Sequence, residues 1–442
     1  MSSHVIELND AEIRVGRGAK IIARSPGYAV VRDDAVFLGE QALRLVHLHP
    51  RQTYNRFWSN PNQDPLPLTT RQFRHHADLI FAHLNALHAQ AGKPAEVVFA
   101  VPGSFTPEQL SLLLGIAQAC PFVAIGIVDS AVAGAAAAAG PGAYVHIDMH
   151  LHHTVFTQID VGDHVVRGAV ENVEDGGLTG IHDAAAALIA DTFIQHCRFD
   201  PLRHAESEQA LYDQLPLCLL ALSTRQETLL EIRFQNTAYQ AKLSRAALLE
   251  RLEARYLDAI ARVPAGRIPL LSDRVAALPG FAARLPRAAI LDAEALFRAC
   301  DQNLAAIRSA PPNLNFITRL PAPPRPALAT TTAVPETMTQ RRTDAAPAVT
   351  HLLVGHRAYP LRGNSLYLSA GGAVSADSRD AAACSVALEN RRAAVTPLSD
   401  ISIYVNGERL AGARTLGPGD KLSFAGSDMV CTFISTMDPD GS

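Results

Sequence analysis

The chain has 442 residues, which is too long for one ordinary hydrophobic core and suits two or three domains. Apolar residues make up 48% of it and charged residues 19%, a composition typical of globular domains rather than of a disordered chain. A formal net charge of −4, with lysine and arginine scattered along the sequence, argues against a nucleic-acid-binding protein that neutralises phosphates.

Cysteine usage and hydropathy indicate the compartment. The six cysteines lie far apart and mostly inside apolar segments, which is typical of buried thiols in a reducing environment rather than of disulfides or a zinc site. The longest apolar run, residues 131–140, is mostly alanine and falls short of the roughly 18 residues that span a bilayer. No secretory signal precedes the first predicted strand. We therefore expect a cytoplasmic protein without a transmembrane segment.

The N-terminal third alternates short strands with helices. Alternating apolar residues and β-branched side chains predict a meander of short strands across residues 5–38, and helices are predicted at 39–47 and 70–90. The most regular pattern comes next: an apolar strand at 96–103, a helix at 106–119, a second strand running into alanines at 123–140, and a hairpin at 144–159.

The following residues are mainly helical. A glycine pair, Gly176-Gly177, precedes a predicted helix at 181–196. Further helices are predicted at 206–223, 245–263, 274–278 and 293–309, with strands at 229–234 and 268–272. We take residues 1–309 as the first domain.

Composition changes after this domain. Residues 310–349 contain eight prolines, which lack a backbone donor and interrupt helices, so they are predicted to form a linker. One stretch inside it, 313–317, could pair as an edge strand of the first domain. Short strands separated by turns then fill residues 350–436 and predict a small β-sandwich, followed by a polar tail at 437–442.

The order of strands and helices over about residues 4–308 resembles the actin/DnaK/MreB superfamily. In that family the corresponding segments read like VVTVPA, then EP-x-AAA, then D-x-GGGT; here they are 96–103, 128–135 and 144–159. The resemblance implies an α/β architecture with a duplicated ribonuclease-H-type fold, and a site for ATP and Mg²⁺ between its halves.

The first phosphate loop of the family, D-x-G-T, is altered here. Glu7 stands at the Asp position, Asn9 replaces the glycine and Asp10 replaces the threonine. Glycine lets backbone N–H groups close on an anion, whereas Asp10 would repel a polyphosphate. At an effective dielectric near 20, two like charges about 4 Å apart repel by roughly 4 kcal/mol.

The other nucleotide loops depart from the family as well. Asp148 matches the second loop's Asp, but His150, Leu151 and His152 replace its glycines. The resemblance makes Asp129 the carboxylate near the attacking water. It also makes Gly176 and Gly177 the pair that approaches the nucleotide. Ser272 falls in the last signature, 270–274, which lacks both of its glycines.

The same residues could instead have purely structural roles. Asp129 and Asp148 could be ordinary carboxylates in turns. Glycine pairs occur in many loops, so the pair alone does not indicate a nucleotide site. His146, His150 and His152 would share one face of a regular strand and so could bind a metal ion, but a turn at 149–151 would break that pattern. Hydrogen-bonded hairpin histidines are the expectation, with no metal site.

Residues 350–436 resemble a forkhead-associated (FHA) domain, a β-sandwich whose active members bind phosphothreonine peptides. The resemblance depends on a V-N-G hairpin at 404–410 and an L-x-x-G-D-x-L turn at 415–424. The family's Gly-Arg strand end is missing, so the bidentate guanidinium anchor is absent there. Arg362, Ser378 and Arg379 are the remaining candidates for phosphopeptide contact.

These features together predict a non-catalytic scaffold or adaptor. A pseudo-ATPase domain, without an expected cofactor, would be joined to an FHA-like docking module that holds protein partners such as a membrane-associated machine. The main alternative is a nucleotide-regulated clamp or weak Mg-ATPase in which Glu7, Asp129 and Asp148 hold Mg²⁺ through waters. A polymerising ATPase would need an intact phosphate site and is the third hypothesis.

Overall fold

The structure is a computed structural model that describes residues 3–33, 35–285, 287–309 and 314–322. In the C-terminal region it describes 350–354, 357–361, 365–369, 371, 373–375, 382–389, 392–399, 401–406, 408–410, 412–417, 419–425, 427 and 430–434. The chain divides into two compact units, residues 1–328 and 329–442. No helix in these ranges is long and apolar enough to cross a membrane.

The first unit is a mixture of strands and helices. Its strands are β1 (His4–Glu7), β2 (Ile13–Arg17), β3 (Lys20–Ser25), β4 (Ala29–Arg32), β5 (Ala35–Leu38), β6 (Thr53–Tyr54), β7 (Glu96–Val101), β8 (Val123–Asp129), β9 (Gly142–Met149), β10 (His153–Val161), β11 (His164–Glu174), β12 (Glu227–Phe234), β13 (Thr237–Ser244), β14 (Ile268–Leu271), β15 (Ala289–Ile290), β16 (Phe316–Ile317) and β17 (Arg319–Pro321).

Its helices are α1 (Glu40–Leu43), α2 (His76–Gln90), α3 (Pro107–Gln118), α4 (Ser130–Ala138), α5 (Leu178–Cys197), α6 (Ala205–Thr224), α7 (Arg245–Ala261), α8 (Asp273–Ala276), α9 (Ala295–Gln302) and α10 (Leu304–Ile307). Short 3-10 turns lie at Pro50–Gln52, Pro201–Arg203 and Ala282–Arg284.

Two six-stranded sheets of the first unit repeat one arrangement. The first has the order β16-β8-β7-β1-β2-β3 and the second β15-β14-β9-β10-β11-β17. In each sheet three consecutive strands form an antiparallel meander, and two later strands pair in parallel beside the first strand of that meander. The first sheet with its helices is termed lobe 1 and the second lobe 2.

The lobes share a hydrophobic core. Residues from the first sheet, such as Val5 and Val98, belong to one buried cluster with Tyr144 and Ile159 of the second sheet. The alanines of α4 are buried in that cluster against α9, because their small side chains let the helix approach its neighbours closely. Asp129 caps the first turn of α4.

The segment after α10, residues 314–322, pairs with both lobes. Phe316–Ile317 runs parallel to Ile127–Val128 at the edge of the first sheet, as the sequence predicted for an edge strand. Three residues later Leu320 pairs with Val165 at the edge of the second sheet. This tail segment (residues 314–322) therefore covers one edge strand in each lobe.

Several elements differ from expectation. The helix predicted at 39–47 is regular only at Glu40–Leu43, and the one predicted at 70–90 begins at His76. The helix predicted at 293–309 is divided at Asn303, where φ of −106° and ψ of 20° depart from helical values and both the backbone and the side-chain amide donate to the carbonyl of Ala299. Strand β13 was missed because its lysine, its glutamine and its alanines weaken the alternating pattern.

The second unit consists, where it is described, of antiparallel strands. These are β18 (His351–Val354), β19 (Arg357–Pro360), β20 (Leu366–Leu368), β21 (Val374–Ser375), β22 (Cys384–Glu389), β23 (Arg392–Pro397), β24 (Ile403–Val405), β25 (Glu408–Arg409), β26 (Arg414–Leu416), β27 (Lys421–Phe424) and β28 (Val430–Ile434). They form two sheets, β19-β18-β28-β27-β24-β25 and β21-β20-β22-β23-β26, around one buried core.

Candidate functional site

The ends of β1 and β9 meet between the two lobes, and Asn9 joins them. Its side-chain Nδ2 donates to Asp148 Oδ2 at 2.9 Å and to the carbonyl of Met149 at 3.1 Å. Its Oδ1 accepts from the amide of Ala11 at 2.9 Å. Asn9 therefore uses all of its side-chain polar atoms inside the protein.

Asp10 holds the turn between β9 and β10. Its Oδ1 accepts from the Leu151 amide at 2.8 Å and lies 3.3 Å from His150 Nδ1. Burial by itself raises the pKa of Asp10, but the hydrogen bond and charge of His150 and the Leu151 amide lower it below the ordinary value. His150 in turn stacks on His153, with ring centroids 4.4 Å apart. The carboxylate that would repel a polyphosphate is thus a structural anchor.

Arg274, at the start of α8, forms a bidentate ion pair with Glu7 on β1. Its Nη1 donates to Oε1 at 2.9 Å and its Nη2 to Oε2 at 3.0 Å, and Nη2 also donates to the Glu12 carbonyl at 2.8 Å. Burial lowers the pKa of the guanidinium, but the charges of Glu7 and Asp148 more than offset this and raise it. Arg274 therefore acts as a buried cation between the lobes.

The same buried charge affects Asp148. Burial alone raises the pKa of this carboxyl, whereas the charges of Arg274, His150 and His146 lower it well below the ordinary range. Asp148 is therefore ionised at neutral pH, with Arg274 as the main source of the positive charge that stabilises it.

A second bidentate pair lies beside the first. Arg14 on β2 donates from Nη1 and Nη2 to the two carboxylate oxygens of Asp273 at 2.9 and 2.8 Å, and its Nε contacts Glu12. Arg14 belongs to the first sheet and Asp273 to the first turn of α8 in lobe 2. Two arginine–carboxylate pairs thus connect the lobes.

Little space remains between these side chains. The cavity there, termed the cleft, has a volume of about 30 Å³, and its lining includes Glu7, His146, Asp148, Ser272 and Arg274. That volume suits a buried water and not a nucleoside triphosphate with its metal ion. The residues of the cleft do not fit Mg-ATP, because the carboxylates that would face Mg²⁺ already face a guanidinium.

Asp129 is fully buried outside the lining of the cleft. Its Oδ1 accepts from the amides of Ala131 and Val132 at 2.9 and 3.1 Å, which caps α4, and its Oδ2 accepts from Arg167 Nη1 at 3.1 Å. Burial raises its pKa against the lowering effect of these bonds. All these contacts give Asp129 a helix-capping and ion-pairing role.

The other predicted site residues also contact the protein itself. The carbonyl of Gly176 accepts from Thr154 Oγ1 at 2.7 Å. Gly177 packs so closely on the β9–β10 turn that an added Cβ would lie 2.4 Å from the Leu151 carbonyl oxygen. Ser272 accepts from the Val275 amide at 3.4 Å and caps α8.

The hairpin histidines lie in different environments. His146 lines the cleft, His150 and His153 stack, and His152 Nε2 lies 3.1 Å from the Asn55 carbonyl oxygen. Burial lowers the pKa of His146, and it lowers the pKa of His153 to about 3. Among the described residues no group of three or more His, Cys, Asp or Glu side chains is arranged to hold a metal ion.

Sequence reasoning missed the arginines of the cleft. Arg274 lies inside the last signature, and Arg14 lies on strand β2 between the apolar residues Ile13 and Val15; a charge between apolar strand residues is the signal that was available for Arg14. Their carboxylate partners lie 259 and 267 residues away in sequence, so no local pattern connects them.

In the second unit, the turn at Asn406 contacts the turn that precedes β27. Asn406 Nδ2 donates to Asp420 Oδ1 at 2.8 Å, and Asn406 Oδ1 accepts from the Lys421 amide at 2.9 Å. Asp420 Oδ2 also accepts from the Gly417 amide at 2.8 Å. Arg362, Ser378 and Arg379, the phosphopeptide candidates, lie outside the described residues.

No protein-family model matches this chain, and no curated protein matches it.

Proposed function

We propose that the first unit is a catalytically inactive relative of the actin/DnaK/MreB ATPases. Two observations support the fold. The two sheets repeat the same order of an antiparallel meander followed by two parallel strands, which is what a duplicated ribonuclease-H-type fold requires. The sequence segments that resemble the family's phosphate loops lie at the ends of β1 and β9, where the lobes meet.

The main support for a loss of catalysis is the ion pair between Arg274 and Glu7. A bound Mg-ATP would need positive charge and backbone amides facing its phosphates, and carboxylates facing its metal ion. In this protein Arg274 is ion-paired with Glu7 and its charge also stabilises the ionised Asp148, and Asp10 is hydrogen-bonded to the turn that would hold a phosphate. Opening the cleft for nucleotide would require breaking the buried Arg274–Glu7 pair and the partly exposed Arg14–Asp273 pair.

The second unit is proposed to be an FHA-like docking module. Its two antiparallel sheets and the hydrogen bonds between Asn406, Asp420 and Lys421 support this resemblance. A protein that keeps this fold without a nucleotide site, and that also has a docking module, is suited to holding protein partners. We therefore propose a non-catalytic scaffold that organises a protein assembly in the cytoplasm, for example beside a membrane-associated machine.

The test is titration calorimetry with Mg-ATP and Mg-ADP, accompanied by a thermal-shift scan of the full chain. We expect no heat of binding and no rise in Tm at millimolar nucleotide. A submillimolar Kd that Asp148→Ala abolishes would overturn the inactive assignment and favour the nucleotide-regulated clamp. ATP hydrolysis above the background, lost in the same variant, would favour the weak ATPase.

The scaffold role needs a separate measurement. Partners captured by the full chain in cells should also be captured by Asp148→Ala at the same level, since no nucleotide step is involved. Capture that disappears in Asp148→Ala, while this variant keeps the wild-type circular dichroism spectrum and Tm, would contradict a nucleotide-independent scaffold.

A further inference from the structure

Three leucines form an exposed apolar surface on α6 and β12 of lobe 2, termed the leucine patch. Leu217 and Leu220 on α6 are 70% and 61% exposed, and Leu229 on β12 is 63% exposed. These are the three most exposed large apolar side chains among the described residues. Single exposed leucines are common on protein surfaces, whereas a contiguous group indicates contact with another molecule.

The packing of α6 along β12 brings the three leucines together. The chain reverses between the helix and the strand, and Gln214 Nε2 on α6 donates to the Glu231 carbonyl on β12 at 2.9 Å. From this contact the helix rises about 1.5 Å per residue and the strand about 3.3 Å per residue. Leu229 therefore lies level with the stretch from Leu217 to Leu220, on the outer face of a strand whose inner face is buried.

The charges on the strands beside the leucine patch are already paired. Glu227 at the start of β12 pairs with Lys242 on β13, and Arg233 pairs with Glu231 at 2.8 Å. These four side chains carry no net charge together. The strands beside the patch therefore neither select a strongly acidic or basic partner nor repel a second copy of the chain.

The outward side of α6 has a symmetric sequence. Asp213, Leu217, Leu220 and Thr224 are all exposed and follow one another at intervals of four, three and four residues, which places them on one side of the helix. The buried residues of α6 lie on the opposite side. When a two-fold axis between Leu217 and Leu220 relates two antiparallel copies of α6, each Leu217 faces Leu220 of the second copy. Each Asp213 then faces Thr224 of the second copy, next to Arg225.

Asp213 and Arg225 supply complementary charges for this arrangement. Both are exposed, and within the described part of the chain neither forms an ion pair. Asp213 accepts a hydrogen bond from Gln209 Nε2 at 2.8 Å, and its second carboxylate oxygen remains available. The symmetry repeats the Asp213–Arg225 contact at both ends of the helix pair. Antiparallel packing also brings the positive end of each helix dipole toward the negative end of the other.

We propose that the chain forms a symmetric homodimer through the leucine patch and the outward side of α6. A helix of 20 residues is about 30 Å long, so the face is smaller than the roughly 800 Å² per partner of a standard interface. For an interface of this size we expect a Kd of roughly 10 µM. The inference goes beyond the proposed function, because it does not depend on whether the cleft binds nucleotide.

Sedimentation velocity of the full chain, from about 1 to about 200 µM, measures the association. We expect monomers at the lowest concentration and dimers at the highest. Leu217→Ser combined with Leu220→Ser should raise the Kd at least about a hundredfold, because the apolar contacts at the centre of the interface are lost. Leu257→Ser is the matched control: this leucine of α7 is 53% exposed outside α6 and β12, and its replacement should leave the Kd unchanged.

Charge reversal tests the two-fold arrangement. Asp213→Arg places two arginines opposite each other and Arg225→Glu places two carboxylates opposite each other, so each variant alone should associate about tenfold more weakly than wild type. An equimolar mixture of the two variants should form a heterodimer with a Kd close to that of the wild type. In that heterodimer every contact again joins opposite charges, and this recovery also shows that both variants are folded.

Three results would overturn the proposal. The full chain could remain monomeric at the highest concentration, which would mean that the second unit or a different protein covers the leucine patch. The leucine double variant could dimerise as tightly as wild type or as Leu257→Ser, which would place the interface elsewhere. The mixture of charge variants could associate no better than each variant alone, which would contradict antiparallel packing of α6 about a two-fold axis.

Discussion

Arg274 Nη1 and Nη2 donate to the two carboxylate oxygens of Glu7 at 2.9 and 3.0 Å, and this pair joins α8 of lobe 2 to β1 of lobe 1. Both side chains are at most 9% exposed, so neither charge is solvated to any extent. Each charged group is therefore stabilised by its partner rather than by solvent. A buried ion pair is costly to break from one side, because the remaining charge is left without compensation.

Replacing Arg274 by methionine should destabilise the first unit strongly. Glu7 and Asp148 would remain buried without their main cation, and the expected loss is about 3–5 kcal/mol in the free energy of unfolding. Urea denaturation followed by circular dichroism measures it. Arg233→Met is the control, because Arg233 pairs with Glu231 at the surface and should change stability by less than about 1 kcal/mol. Equal effects of the two variants would contradict a buried cation between the lobes.

The stability of lobe 1 should fall in acid through His83. Trp58 Nε1 donates to His83 Nδ1 at 3.0 Å, so the ring proton is on Nε2, which donates to Ser25 Oγ at 2.7 Å. Burial lowers the pKa of His83 to about 3 from the ordinary 6.5. Between these values the unfolded chain binds a proton that the folded protein does not, so stability is full above pH 6.5 and decreases as pH falls toward 3.

The slope of the free energy of unfolding against pH can be measured by urea denaturation, with the fluorescence of the single tryptophan, Trp58, as the probe. One such proton changes the free energy of unfolding by about 1.4 kcal/mol per pH unit. His83→Gln, which cannot take up that proton, should reduce the wild-type slope between pH 4 and 6 by this amount. His196→Gln removes an exposed histidine of α5 and should leave the slope unchanged. An unaltered slope in His83→Gln would refute the assignment.

Gly177 and Gly176 should respond very differently to alanine. At Gly177 an added Cβ would lie within 2.5 Å of backbone atoms of His152 and His153, which cannot move without displacing the β9–β10 turn. At Gly176 the nearest atoms are 3.3 Å away on Val173. We expect Gly177→Ala to cost about 1–3 kcal/mol or more and Gly176→Ala to cost clearly less, measured as the shift in urea midpoint. Similar losses of stability at both positions would contradict this explanation. They would show that the short distances to backbone atoms are not the reason why a glycine is needed at Gly177.

The sequence was sufficient to predict local structure where periodicity and capping agree. The segments from β7 to β10 and helices α5, α6 and α7 were predicted in order and near their observed bounds, because apolar spacing and caps such as Thr106 act over a few residues. The hairpin turn at His150 was also expected. Both predictions depend on neighbours in the chain.

The contents of the cleft were not predictable in the same way. Asn9 was identified only as the residue that replaces a glycine, yet its role depends on the Asp148 side chain, 139 residues away. Asp10 was interpreted as a repulsive charge, and its partner His150 was identified only as a missing glycine. Long-range pairs are decided by how two lobes pack, which a single sequence does not encode in any local spacing.

The tail segment provides the last test, at Leu320. This side chain is fully buried in the core shared by the two lobes, while the adjacent Arg319 is exposed on the same strand. Leu320→Ala should cost about 2–5 kcal/mol in the free energy of unfolding, because it removes buried methyl groups and leaves a cavity between β11 and α4. Arg319→Ala, measured in the same urea titration, should be close to neutral. A neutral Leu320→Ala would mean that residues 319–321 behave as part of the proline-rich linker and contribute nothing to holding the lobes together.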